Sequence, residues 1–215
     1  FGIYSEYQWR RDNLVTDWQQ SLLRTGVNYQ LHPNVQLRLG YAWIETFAYG
    51  DIPIERSGRQ FTEHRTFQMV TVTDAVGRVG LSHRFMLEQR WIGRYTAENL
   101  SREDEFFYAN RLRYMFRMQI PLKGTTMADR TPYVAVYDEI FIGFGENVNA
   151  NVFDQNRLGV LLGYRFNKTW RLEGGYLSQI VQLGRLVNNR TVFQYNNGLI
   201  VNAYLDLDFS RKAAE

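Results

Sequence analysis

The residues of this chain best placed to do chemistry are charged side chains set on alternate positions: Arg84, Glu88 and Arg90, then Arg111, Arg113 and Arg117, then Glu139 and Arg157. Alternate residues of a β-strand share a face, so each group presents its charges on one side. A guanidinium is a planar fork of donors that fits a carboxylate. The pattern therefore points to ion pairing between neighbouring strands. Placing hairpins about their loop centres sets Glu88 opposite Arg111 or Arg113. It sets Glu139 opposite Arg157, with Arg113 or Arg117 diagonal to it. Direct cross-strand neighbours stand about 5 Å apart and diagonal ones about 7–8 Å, so a continuous Glu–Arg network is expected.

Groups suited to catalysis are sparse. His32 lies in a tight turn. His83 shares the parity of Phe85 and Leu87, which puts it on the apolar face with Ser82 beside it. His64 with Glu63 and Ser57 is the one rim arrangement resembling a hydrolase's acid–base set. The chain has no cysteine, which removes thiolate ligands, disulfides and cysteine nucleophiles together. No metal-ligand spacing stands out. The run Glu103-Asp104-Glu105, with Glu98 nearby, reads as a solvated loop, with Ca²⁺ or lipopolysaccharide bridging as the alternative. Gly143-Phe144-Gly145 lacks the strand–loop–helix context of a phosphate loop. No catalytic residue, metal or cofactor is assigned, and the expected role is not enzymatic.

The elements that must position these charges follow from the same alternation. Val35-Gln36-Leu37-Arg38-Leu39-Gly40-Tyr41 and Leu112-Arg113-Tyr114-Met115-Phe116-Arg117-Met118 each have an apolar, aromatic face and a face of charge and glycine. Ten strand segments are predicted, over residues 2–11, 16–31, 35–49, 64–74, 78–95, 105–121, 132–144, 154–166, 170–182 and 191–209. The links at 31–34, 75–78 and 167–169 are tight turns, whereas 50–63, 96–104, 145–153 and 183–190 are longer and polar; the link 123–131 is long but falls on the short-turn side. An even strand count returns both termini to the short-turn side.

A soluble sheet would bury the apolar face; a membrane barrel turns it to lipid and lines its interior with the charged one. Three observations favour the barrel. Aromatic residues make up 15% of the chain, with Trp18, Trp91 and Trp170 near strand ends, as interfacial girdles require; Trp9 and Trp43 are less clearly placed. The strands are long enough to cross a bilayer while tilted. The positive residues are almost all arginine, with lysine only at Lys123, Lys168 and Lys212, in turns or the tail. A mean hydropathy of −0.40 argues against membrane helices but not against a barrel, in which only alternate residues meet lipid. With the apolar face outside, the inward set gains Arg24, Arg38, Arg94, Arg165, Arg171 and Glu173, with Asp206 a further candidate. Leu199, Val201, Ala203, Leu205, Leu207 and Phe209 alternate toward a terminal aromatic, as in the C-terminal signal of outer-membrane barrels. Nucleic-acid binding is not expected despite a pI near 9.1, because the arginines alternate with apolar residues instead of clustering. No signal peptide is visible, so a trimmed chain is expected, with residues 1–209 as the barrel and 210–215 as a short periplasmic tail.

Four motifs carry a resemblance: His83-Arg84-Phe85-Met86-Leu87-Glu88-Gln89-Arg90, Asn110-Arg111-Leu112-Arg113-Tyr114, Tyr137-Asp138-Glu139-Ile140-Phe141 and Asn156-Arg157-Leu158-Gly159. In this order they resemble a family of Bacteroidota outer-membrane proteins known as a domain of unknown function. The resemblance implies an outer-membrane β-barrel and no particular activity. The expectation is a ten-stranded antiparallel transmembrane barrel in a Gram-negative outer membrane, with short periplasmic turns and longer extracellular loops. Its lumen would be filled by arginine–glutamate pairs, and its role would be that of an accessory or structural subunit. Its partners would be membrane lipid, lipopolysaccharide and other outer-membrane proteins. A narrow anion or small-solute channel is the alternative, an outer-membrane hydrolase a third, and a soluble lipid-binding barrel with inverted faces is the competing fold.

Overall fold

The computed structural model describes residues 1–12, 16–148 and 151–209; the expected tail at 210–215 lies outside them. Ten strands follow one another: β1 (Gly2–Asp12), β2 (Asp17–His32), β3 (Val35–Thr46), β4 (Phe61–Val76), β5 (Val79–Arg94), β6 (Glu105–Pro121), β7 (Thr131–Phe144), β8 (Phe153–Arg165), β9 (Trp170–Gln182) and β10 (Phe193–Leu205). Each pairs antiparallel with its sequence neighbour, so one sheet runs from β1 to β10 in chain order. No helix occurs among the described residues. β1 and β10 do not pair with each other, and the sheet is a curled half-barrel with two free edges.

Period-two patterning is why these segments are strands. In β7, Thr131, Tyr133, Ala135, Tyr137, Glu139 and Phe141 are buried, while the residues between them face outward. Tight turns use the residue their geometry demands. β4 and β5 are joined through Gly77 and Arg78, with Val76 paired to Val79 and Gly77 at φ 59°, the left-handed value that a two-residue hairpin loop places on glycine.

The curl shows in contacts that skip strands. On one face, Arg84 of β5 reaches Glu139 of β7 and Arg111 of β6 reaches Asp154 of β8. Arg117 of β6 likewise meets Glu173 of β9. Ion pairs spanning two or three strands converge in this way on the concave side. That face also carries the apolar clusters. Tyr133, Ala135, Tyr137 and Leu161 form the largest, with Met127 and Ile200 packed against it. Met127 belongs to the connection 122–130, the long link on the short-turn side; that connection is long because it carries a side chain back onto the concave face.

Tyr133 and Tyr137 lie flat over glycines directly opposite on β8. Tyr137 pairs with Gly159 and Tyr133 with Gly163, and a methyl group on either glycine would collide with the ring. The rings take the space the missing side chains leave, which pins the β7–β8 register.

Strand ends differ from expectation by three or more residues in three places. β4 begins at Phe61, not 64, which brings Glu63 into the sheet. β3 ends at Thr46, leaving Phe47 and Tyr49 in the connection 47–60. β10 ends at Leu205, so Leu207 and Phe209, the end of the expected C-terminal signal, lie beyond the last strand. The Asp206 backbone N–H still donates to Thr169 O at 2.9 Å, holding the exit of the chain against the 166–169 turn.

Substituting Gly163→Ala or Gly159→Ala should displace the tyrosine ring and cost about 1–3 kcal/mol by overpacking. Denaturant unfolding of each variant beside Gly198→Ala, where a methyl group would meet open space, checks this.

Candidate functional site: the charged concave face

The concave face is built around carboxylates that each serve more than one guanidinium. Glu88 accepts from Arg111 at 2.6 Å and from Arg113 at 2.8 Å, and Arg65 stands 3.7 Å away. Glu139 accepts from Arg84 and Arg113, both at 2.8 Å. Glu63 accepts from Arg65 and Arg90, each through Nε at 2.5 Å. Asp154 takes Arg111 at 2.6 Å and lies 3.7 Å from Arg90. Arg113 bridges Glu88 and Glu139, and Arg111 bridges Glu88 and Asp154, so the pairs join into one lattice. At the short-turn end Glu173 accepts from Arg117, from the Tyr133 hydroxyl at 2.7 Å and from the Tyr204 hydroxyl at 3.0 Å. At the β1 edge Arg24 donates to Glu6 at 3.0 Å.

The backbone register explains these meetings. Glu88 is directly opposite Arg111, and Glu139 is opposite Arg157 on one side and Met115 on the other, which makes Arg113 and Arg117 its diagonal neighbours. Of the diagonal pair, Arg113 pairs with Glu139 and Arg117 turns to Glu173. Arg157 is opposite Glu139 but forms no ion pair with it among the described residues; its guanidinium lies 5.0 Å from the centre of the Phe141 ring. The arginines that anticipate the lattice in the sequence thus sit on one face, with Arg157 beside the network.

Three members were not anticipated. Glu63 precedes residue 64, where the alternation placed the start of β4, and Arg65, inside the expected strand, was not counted among the inward charges. Asp154 has the sequence parity of the outward residues Asn156 and Leu158. A register shift pairs Phe141 with Gln155 and Ile142 with Phe153, leaving Asp154 as an extra residue turned inward. A β-bulge re-aims a side chain in this way, and no periodic pattern reports it.

Burial makes the lattice obligatory. Glu88 is 1% exposed, Glu63 2% and Arg113 4%. A buried charge without a partner costs several kcal/mol, so each acid must be met and each guanidinium occupied.

The residues suited to catalysis are not brought together. Glu63 is engaged by arginines on the concave face, His64 bonds the Tyr41 hydroxyl at 2.5 Å on the opposite face, and Ser57 bonds Glu55 in the connection. His83 bonds the Tyr114 hydroxyl at 2.9 Å on the outward face, and Ser82 precedes it on the strand. The acidic run is divided. Glu103 accepts from the Thr62 backbone N–H at 2.6 Å and Asp104 from that of Thr96 at 2.9 Å. The Thr96 hydroxyl also donates to Asp104, and these bonds hold its carboxyl below the usual carboxylate range. No cluster of three or more His, Asp or Glu side chains fit for a metal ion occurs among the described residues.

The fold and its concave face define an all-β protein, a ten-stranded meander curled around a lattice of arginines and carboxylates. The chain belongs to the family described as protein of unknown function (DUF2490), whose model matches residues 1–189. No curated protein and no solved structure matches it.

Removing Glu88 takes from Arg111 and Arg113 one of the two carboxylates that each bridges, leaving Asp154 and Glu139 as their remaining acids. Glu88→Ala should cost about 3–5 kcal/mol, the usual penalty for removing one partner from a buried ion pair. Glu103→Ala, at a loop position, should cost about 1 kcal/mol for one lost hydrogen bond. Urea titrations of the two variants side by side test the contrast.

Proposed function

We propose that the chain is an integral β-barrel of a Gram-negative outer membrane, serving as a non-catalytic accessory or structural subunit whose interior is closed by its charge lattice. The observation that carries this reading is inverted polarity. Glutamates and arginines are buried on the concave face, while Leu39 is 61% exposed, Leu162 67% and Leu199 88% on the other. In water that arrangement leaves a large apolar surface uncovered; in a bilayer it is the lowest-energy arrangement of a strand sheet.

Two further features support it. Outward aromatic contacts fall at both ends of the strands. Trp9–Trp18, Trp18–Phe47 and Trp91–Tyr108 lie toward one end, and Phe1–Tyr29, His83–Phe116 and Tyr164–Phe166 toward the other. Such girdles suit the two interfaces of a membrane. Connections 33–34, 77–78 and 166–169 are short and share one end, whereas 47–60, 95–104, 145–152 and 183–192 share the other. In an outer-membrane barrel the first end is periplasmic and the second extracellular.

Within a bilayer the free edges of β1 and β10 must be paired, because hydrocarbon leaves no partner for open backbone groups. β1 and β10 run antiparallel, so their pairing completes a ten-stranded barrel. The chain's lack of cysteine permits a clean test. Tyr7→Cys combined with Leu199→Cys, Val201→Cys or Ala203→Cys should cross-link in the native membrane for at least one pair. Failure of every pair across β1 and β10, or extraction of the protein without detergent, would overturn the closed barrel. A closed barrel should also show heat-modifiable mobility on electrophoresis.

The second reading, a narrow anion path, draws on the excess of arginine over acid around the concave cavity. Planar-bilayer recording separates the two. The sealed lattice predicts no steady conductance; a channel predicts anion-selective openings that fall on Arg113→Ala. Native co-purification of a stoichiometric outer-membrane partner would support the accessory role.

A further inference from the structure

A cavity of about 90 Å³ lies inside the curl, at the end of the sheet that carries the connection 47–60. Seven arginines and two carboxylates line it. Both carboxylates are already engaged, Glu63 by Arg65 and Arg90 and Asp154 by Arg111. Two of the arginines, Arg10 of β1 and Arg157 of β8, form no ion pair among the described residues. Their hydrogen-bond partners are neutral, with Glu6 and Glu139 acting on them only from beyond ion-pair distance. Arg10 Nε donates to Gln8 Oε1 at 3.1 Å. With the Gln179 amide turned oxygen-inward, Arg157 donates to it through Nη2 at 3.2 Å and Nε at 3.3 Å. Amide oxygens orient a guanidinium but leave its charge uncancelled.

We infer that this cavity is a binding site for a small oxoanion of the phosphate class, with Arg10 and Arg157 as its two arms. The inference stands on the concave-face geometry and does not require the membrane reading. Two guanidiniums directed into one space repel each other, and an anion between them removes the repulsion and the desolvation cost together. Their planar forks match the oxygen edges of phosphate, each giving two parallel bonds. The volume is well above the roughly 10–15 Å³ that one water needs, which leaves room for a group with several oxygens. Tyr49 adds a phenolic hydroxyl to the lining, and burial pushes its pKa up, so it stays a donor. Ile54 of the same connection also lines the cavity. That connection is tied across to β10 and the β9–β10 link. Gln194 Nε2 donates to Ile52 O at 2.5 Å, and Arg185 Nη2 to Pro53 O at 3.0 Å.

The test is calorimetric titration of the purified full chain with inorganic phosphate, against chloride at matched ionic strength. Saturable phosphate binding with no comparable chloride heat is expected. Arg10→Gln and Arg157→Gln should each weaken it about tenfold or more, the worth of a charged hydrogen bond lost at each arm. Arg38→Gln, whose guanidinium packs on Tyr4 outside the cavity, should leave it unchanged. Arg157→Lys keeps the charge without the fork and should fall between wild type and Arg157→Gln, which covers the case of a glutamine variant that does not fold. Absence of saturable binding in the wild type, equal binding of chloride, or affinity that survives substitution at both arginines would overturn the site.

Discussion

The structure depends on the sharing of a few buried carboxylates among a larger number of arginines. Glu88 lies at the centre, with Arg111 and Arg113 bonded to it and Arg65 at the edge of contact. A one-to-one pair would satisfy the charges of two neighbouring strands and stop there. Glu139 is shared in the same way, but one of its arginines, Arg84, lies two strands away, so the strands that carry them have to converge. Curvature of the sheet and neutralisation of its charge are therefore one requirement. The glycines Gly159 and Gly163 serve it as well, by letting the tyrosine rings of β7 lie close against β8 where the concave face is most crowded.

Much of this was legible in the sequence, because strand parity is a strict rule when one face is apolar and the other charged. The ten strands, the placing of Glu88 against Arg111 or Arg113, of which the register takes Arg111, and the placing of Glu139 against Arg157 all follow from alternation and hairpin centres. What escaped has physical causes. Glu63 was hidden because β4 begins at Phe61, in a polar segment that reads as loop, and Arg65, inside the expected strand, pairs with that hidden acid. Asp154 was hidden because a bulge inverts its parity. The turning of Arg117 toward Glu173 depends on how far the sheet curls, which no pairwise hairpin rule contains. That Arg157 forms no ion pair with Glu139 was missed for a related reason. Standing opposite an acid does not secure it when Arg84 and Arg113 reach that acid first.

The outer face obeys a looser rule. It is apolar and aromatic along most of its height, yet Asp138 faces outward from the middle of β7, where the Asn156 amide donates to its carboxylate at 2.9 and 3.1 Å. Thr66, Gln68 and Gln89 form a similar bonded group on β4 and β5. Polar residues on this side occur in mutually bonded groups, so each offers its surroundings fewer unmet donors and acceptors than its composition suggests.

The meander order gives the chain an unusual separation between its two kinds of contact. Every backbone ladder joins neighbours in sequence, which local hairpins can build quickly and in any order. The ion pairs that skip strands, Arg84 to Glu139, Arg111 to Asp154 and Arg117 to Glu173, form only after the intervening strands are in place. Until then their guanidiniums remain hydrated and hold the flat sheet open to water. Loss of that hydration is a late and collective event. The meander thus separates what strand neighbours settle between themselves from what the curled sheet settles as a whole.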